Sequence, residues 1–191
     1  MSDPDQPDRF EFRRFGADLA AAAEAAARGE PAGEDETREV YLLLPDPGVN
    51  VKLREGRLEL KRLVCERGGL ERWRPGDALA LPARPERLRA AFSAAGLDWA
   101  PDRALDAEGV VGFAAAQPEA RTAALLKRRR RWRLGGGLVE HARVELEDGE
   151  IETAAAEAET AAETLRLAAA LGLGGRNLSW PRFLLERVGG G

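Results

Sequence analysis

Apolar and charged residues alternate along several short stretches of the chain. In VKLREGRLELKRLV (51–64), for example, Leu58 and Leu60 alternate with Glu59 and Lys61. Successive side chains of a β-strand point to opposite faces of the sheet, so this period of two predicts half-buried strands. Comparable patterns predict strands in 8–16 and 38–44, two around the turn EGR within 51–64, and a hairpin over 138–159 that turns at Asp148 and Gly149.

Alanine-rich segments lie between these strands and predict helices over 17–29, 84–96 and 160–175. The segment 110–135 predicts two further strands around a turn at Gln117 and Pro118. The acidic, Gly- and Pro-containing segment 29–37 predicts a loop. Strands and helices together indicate an α+β protein.

The polar faces of the predicted strands are almost entirely charged. Arg9, Glu11 and Arg13 share one face of the first strand, and Lys52 and Arg54 share one face of a later strand. An antiparallel sheet with one solvated face would give such a pattern. However, the alanine-rich helices need apolar surface to contact, and helices outside a closed barrel would turn the charged faces inward. Like charges about 4 Å apart repel by roughly 4 kcal/mol at an effective dielectric of 20, so such an interior needs both signs, a polyanion or metal ions.

Composition narrows the possibilities further. With 191 residues, 44% hydrophobic and 32% charged, the chain suits a single domain over 1–191. It has no apolar run that could cross a bilayer and no leader-like segment, so we expect a cytoplasmic protein without membrane contact. Cys65 and His141 are its only cysteine and histidine, which excludes an internal disulfide and a Cys/His zinc site. A metal would therefore be bound by carboxylates, which favours Mg2+ or Mn2+.

The formal net charge of −4 hides an uneven distribution. Acidic residues concentrate in 1–8, where we expect a disordered tail, and in 29–37, whereas KRRRRWR (127–133) is strongly basic. The rest of the chain, without these two acidic segments, has a positive net charge, which indicates an anionic partner. The basic run could bind nucleic acid, but its position within an amphipathic strand favours the wall of a tunnel, and a solvated edge comes second.

The order of the charged motifs resembles that of the CYTH family, also called triphosphate tunnel metalloenzymes. An early strand with Glu11 is followed by the basic pair Lys52 and Arg54, LELK, a basic strand, an acidic strand, ExE at 157–159, a helix and a terminal segment with Trp180 where tyrosine is usual. The resemblance extends from about Arg9 to Leu185. That family includes thiamine triphosphatases, inorganic triphosphatases and one class of adenylyl cyclase. The resemblance implies a closed eight-stranded antiparallel β-barrel with a charged interior and flanking helices.

The resemblance also implies roles for individual residues. Basic side chains would bind the phosphates and carboxylates would hold Mg2+ or Mn2+, which suits a reaction catalysed by positioning and charge neutralisation. The implied substrate-binding residues are Arg9, Lys52, Arg54, Lys61, Lys127, Arg129 and Arg131. The implied metal ligands are Glu11, Glu145, Glu147, Glu157 and Glu159, and the implied catalytic residues are Glu11, Arg13 and Lys61. The expected partner is a triphosphate-containing small molecule or polyphosphate, and nucleic acid is not expected.

The first motif departs from the family pattern E-x-E-x-K, because this chain has Arg9, Glu11 and Arg13 at the three charged positions. A guanidinium cannot bind a cation, and it could occupy the place of one metal ion. Two functions therefore stay open. One is divalent-metal-dependent hydrolysis of an inorganic or organic triphosphate. The other is a non-catalytic polyphosphate- or nucleotide-binding module with a degenerate metal site.

Overall fold

The computed structural model describes residues 7–189, and in that range it contains nine strands and five helices. The strands are β1 (Arg9–Gly16), β2 (Glu30–Leu43), β3 (Val49–Arg54), β4 (Arg57–Arg67), β5 (Leu70–Pro75), β6 (Leu79–Ala80), β7 (Arg121–Leu134), β8 (Gly137–Leu146) and β9 (Gly149–Ala158). The helices are α1 (Ala20–Ala26), α2 (Pro85–Ala94), α3 (Ala107–Ala115), α4 (Ala161–Ala170) and α5 (Trp180–Gly189). None of these helices is long and apolar enough to cross a membrane.

Eight strands close into a barrel in the order β3-β2-β7-β8-β9-β1-β5-β4, and β4 pairs back with β3. Every pairing is antiparallel, and the short β6 joins β4 outside the closed ring. The predicted α+β fold with a closed eight-stranded antiparallel barrel is therefore confirmed.

The helices cover the apolar outer faces of the barrel, which decides where the charged faces point. Phe10 and Phe12 of β1 belong to an outer core with residues of α1 and α4, including Leu167. On the other side, outward residues of β2, β3 and β4 form a second core with α2 and α3. Because side chains of a strand alternate, Glu11 and Arg13 then point into the barrel. The predicted charged interior with flanking helices is confirmed.

Helix α5 fills one end of the barrel. At this end the inward positions of the strands are apolar, and they include Tyr41, Leu43 and Val144. These residues form a third core with Trp180 and Leu184 of α5, both nearly fully buried. The inward faces are thus apolar beneath α5 and charged towards the opposite end.

Two segments differ from the prediction. The acidic segment 29–37 is not a loop, because β2 begins at Glu30 and pairs along its length with the basic β7. Cross-strand ion pairs such as Glu34–Arg130 and Glu36–Arg128 allow a highly charged segment to form a strand. Residues 110–135 contain one strand rather than two, because 107–115 form α3, where Asp106 caps the helix by accepting a hydrogen bond from Gly109 N.

The expected acidic tail falls largely outside the described residues, since 1–6 are not among them. Asp8, at the end of that segment, forms ion pairs with Arg74 at 2.8 Å and Arg72 at 3.2 Å. This carboxylate is therefore attached to β5.

Candidate functional site

The charged part of the barrel interior encloses a cavity of about 70 Å³, to which all eight strands contribute. Its lining consists of Glu11, Arg13, Tyr41, Asn50, Lys52, Glu59, Leu60, Lys61, Trp73, Lys127, Arg129, Glu140, Glu157, Ser179 and Trp180.

Most of the predicted basic residues lie inside the barrel. Lys52 points inward from β3 and Lys61 from β4, while Lys127 and Arg129 point inward from β7. Lys127 lies in the middle of β7, and only 2% of it is exposed. Arg13 reaches the same cavity from β1. Five cations from four strands therefore face one enclosed space.

Two buried carboxylates, Glu39 and Glu140, balance part of the charge of these cations. Glu39 is fully buried and accepts hydrogen bonds from Lys127 Nζ at 3.1 Å, Lys52 Nζ at 3.3 Å and the Tyr41 hydroxyl at 3.0 Å. Glu140 of β8 accepts a hydrogen bond from Arg13 Nη1 at 2.9 Å. The interior cations are thus held in place by anionic oxygens of the chain itself.

The same pairing continues along the tunnel. Asp35 accepts two hydrogen bonds from Arg129, at 3.1 and 3.0 Å, and one from Arg131 Nη2 at 2.8 Å. Arg54 donates to Glu59 Oε1 at 2.7 Å. These oxygens occupy positions that phosphate oxygens could take, because guanidinium groups bind both anions with the same geometry.

Burial disfavours the charged form of the interior lysines more than the nearby carboxylates favour it. It lowers the pKa of Lys127 to about 7, against the opposing effect of Glu39. The pKa of Lys52 is lowered as well, again mainly by burial. For Glu39, burial acts to raise the pKa, but Lys127, Lys52 and Arg54 outweigh it and hold the pKa well below the usual range. A further anion in the cavity would favour the charged lysines.

Three carboxylates lie side by side on adjacent strands. Glu11 of β1 is directly opposite Glu157 of β9 on one side and Glu71 of β5 on the other. Burial, followed by repulsion from Glu11, raises the pKa of Glu157 and of Glu71. For Glu11 itself burial acts to raise the pKa, but Arg13 and Lys61 outweigh it and keep the pKa below its usual value. The row therefore contains negative charge whose repulsion a bound cation would relieve.

Two carboxylates of this row, Glu11 and Glu157, could hold one divalent cation. Glu11 and Glu157 supply hard oxygen donors from opposed register positions, which suits Mg2+ or Mn2+. Arg13 already donates to Glu11 Oε1 at 2.7 Å and lies 3.8 Å from Glu157 Oε1. Between residues 7 and 189, no three Asp, Glu, His or Cys side chains form a group that could hold a metal ion. A bound ion would thus take further ligands from substrate or water.

The open end of the tunnel contains Arg9. With Glu11, Lys61 and Glu157 it lines a small cavity of about 40 Å³. It also lines a wider cavity of about 430 Å³, together with Glu159 and the glycines 135–137. Arg9 Nε is buried and has no hydrogen-bond partner in the described part of the chain. Glu159 follows the end of β9 and is exposed, so it lies at the mouth rather than in the interior.

Two predicted metal ligands do not reach the cavity. Glu145 is exposed on the outer face of β8, where it pairs with Arg128, and Glu147 is exposed in the turn after β8. The inward positions of this strand are Glu140, Ala142 and Val144, two of them apolar because they lie beneath α5. The charged face of this half of β8 therefore points outward, opposite to the prediction.

Sequence reasoning missed the buried carboxylates Glu39 and Glu140 and the partly exposed Asp35. Asp35 was missed because 29–37 was predicted to be a loop. Glu140 was missed because the other face of β8 was predicted to point inward. Glu39 had a usable signal, because it alternates with Tyr41 and Leu43 within a predicted strand. An isolated acidic residue in an apolar segment of that kind indicates an interior partner.

Comparison with known proteins supports the fold. No protein-family model matches the chain, and no curated protein matches it. Among solved structures, it is similar to a putative adenylyl cyclase, HpAC1 from Hippeastrum, described as having a dominant triphosphatase activity. That match covers 95% of this chain and 96% of the other, with a TM-score of 0.54 and 11% identity. The PH1012 protein from Pyrococcus horikoshii OT3 matches over 91% and 94%, with a TM-score of 0.50 and 18% identity. The chain thus shares the barrel fold of these structures, as the resemblance to the CYTH family implied.

Proposed function

We propose that the protein binds a triphosphate inside the barrel and hydrolyses it with the help of one Mg2+ or Mn2+ ion. The observation that supports this most strongly is the convergence of five cations, from four strands, on one enclosed cavity. A solvated sheet face would leave such charges in water, where they attract a polyanion only weakly. The activity described for HpAC1 is consistent with this proposal.

Binding would add phosphate oxygens to cations that internal carboxylates already orient. Glu39 and Asp35 accept hydrogen bonds that Lys52, Lys127 and Arg129 donate. Each ammonium and guanidinium has further N–H donors for phosphate oxygens, and the negative charge of the phosphates would favour protonated Lys127. The carboxylates keep the basic side chains oriented, so little reorganisation is needed when the substrate enters.

Chemistry would occur beside the carboxylate row. Glu11 and Glu157 would hold the divalent ion, which supplies charge neutralisation and activation of water. Arg13 links Glu11 to Glu140, at 2.7 and 2.9 Å, and so fixes the orientation of Glu11. Lys61 lines the same cavity and would bind a phosphate oxygen near the reacting group. Arg9 would contribute a further positive charge at the tunnel mouth.

A second function, binding without hydrolysis, is favoured by one specific observation. Arg13 already contacts Glu11, and Arg9 lies where the resemblance implies another metal-binding carboxylate. These guanidinium groups could replace metal charge without activating water. In that case the protein would retain a polyphosphate or a nucleotide as a sensor or partner module.

Phosphate release from tripolyphosphate in the presence of Mg2+ or Mn2+ separates the two functions. The informative variant is Glu157→Gln, and Glu150→Gln is the matched control because it changes an exposed glutamate on the same strand. Hydrolysis predicts metal-dependent release by wild type and Glu150→Gln, reduced at least a hundredfold in Glu157→Gln. If no phosphate is released but tripolyphosphate still raises the melting temperature, the binding function remains. If tripolyphosphate is neither hydrolysed nor raises the melting temperature, both functions are contradicted.

A further inference from the structure

The segment that leads into α5 brings two unpartnered polar groups to the closed end of the tunnel. Ser179 and Trp180 are only 3% and 5% exposed, and both line the central cavity. Ser179 Oγ and Trp180 Nε1 have no hydrogen-bond partner within residues 7–189. Buried hydroxyl and indole groups are nearly always hydrogen-bonded. These two therefore indicate that a ligand atom in the cavity accepts hydrogen bonds from them.

The surroundings of these two groups select an anion. Both can donate a hydrogen bond, and they stand at the N-terminus of a ten-residue helix, whose partial charge is positive. Lys127 Nζ lies 4.2 Å from the centre of the Trp180 ring, and Arg13 Cζ lies 5.9 Å from it. Two donors, a helix N-terminus and two cations thus surround the inner end of the cavity, where Glu39 and Glu140 balance part of the positive charge.

This end of the tunnel is firmly attached to the barrel. Asn177 accepts a hydrogen bond from Arg13 N at 2.7 Å and donates one to the Glu11 carbonyl at 2.9 Å. Leu178 N donates to the Arg13 carbonyl at 3.1 Å. Because β5 pairs with β1 only as far as Glu11, this segment satisfies the free edge of β1 beyond that residue. The donors at the start of α5 are therefore held at fixed positions.

We propose that Ser179 and Trp180 bind the terminal phosphate of the ligand, with the N-terminus of α5 directed at it. This inference rests on the proposed binding of a triphosphate in the tunnel and adds a direction to it. Since α5 closes the inner end, the ligand enters past Arg9 with a free phosphate first, and any organic group stays at the mouth. The ligand class is therefore polyphosphates and phosphate esters with at least one uncapped terminal phosphate.

Titration calorimetry with tripolyphosphate tests the contacts directly. The variants are Ser179→Ala and Trp180→Phe, which remove one donor each while leaving an apolar side chain in place. Ser93→Ala is the control, because it removes an exposed hydroxyl of α2, outside the barrel. We expect each of the two variants to bind about ten- to a hundredfold more weakly and the control to bind as wild type does. Melting temperatures without ligand verify that all variants are folded.

Capped ligands test the direction of entry. We expect methyl triphosphate to bind within tenfold of tripolyphosphate, and P1,P3-dimethyl triphosphate to bind at least a hundredfold more weakly. Equal binding of the two esters would overturn the proposal. The proposal would also be overturned if Lys127→Met weakened tripolyphosphate binding while Ser179→Ala and Trp180→Phe left it unchanged. In that case the tunnel would remain the binding site. If wild type bound no tripolyphosphate, the proposed function would fail together with this inference.

Discussion

Lys127 should make the stability of the protein depend on pH in an unusual range. Burial lowers the pKa of this ammonium from 10.5 to about 7 in the folded protein. Between pH 7 and 9 the unfolded chain keeps this proton while the folded protein loses it, so the free energy of unfolding rises with pH. Integrating the difference over this range, at 1.36 kcal/mol per pKa unit, gives a gain of about 2 kcal/mol.

Urea unfolding of wild type and Lys127→Met at pH 7, 8 and 9 measures this effect. The variant should lack the rise of about 2 kcal/mol that Lys127 contributes. Tyr41 does not interfere, because burial raises its pKa well above 10.0 and its ionisation falls outside the range. Equal slopes in the two proteins, or a wild type that loses stability towards pH 9, would refute the reasoning.

Further predictions concern residues that hold the tunnel together, each measured by urea unfolding at pH 7. Glu39→Gln should destabilise the protein by about 3–5 kcal/mol, because it leaves Lys52 and Lys127 buried without their shared carboxylate; a loss below 1 kcal/mol would contradict the burial of this network. Asn177→Ala should cost about 1–3 kcal/mol through two lost hydrogen bonds to the backbone of β1. Arg130→Ala should change stability by less than about 1 kcal/mol, since its pair with Glu34 is exposed, and a larger loss would show that the outer ion pairs stabilise the barrel.

The barrel and the character of its interior could be predicted from the sequence because they depend on local pattern. Alternation assigned charged and apolar faces to β1, β3 and β4, and the alanine-rich helices required apolar surface on the outside. Those two facts are sufficient to place Glu11, Arg13, Lys52 and Lys61 inside.

The remaining errors arise where a tertiary neighbour overrides the local pattern. Residues 29–37 form a strand only because β7 supplies arginines opposite their carboxylates. The charged face of β8 near Glu145 points outward because α5 fills the interior at that level, and a helix at the far end of the chain cannot be inferred from the pattern of β8 itself. The pairing of tunnel cations with internal carboxylates likewise depends on the closed barrel, which brings Asp35, Glu39 and Glu140 next to Arg129, Lys127 and Arg13.

A crystal structure of the protein with tripolyphosphate and Mn2+ tests the central claim, that the barrel interior is the polyphosphate site, most directly. We predict electron density for the phosphates between Lys52, Lys127 and Arg129, and an anomalous manganese peak beside Glu11 and Glu157. Phosphate density confined to the outer arginines Arg128 and Arg130, with the interior carboxylate pairs unchanged, would contradict it.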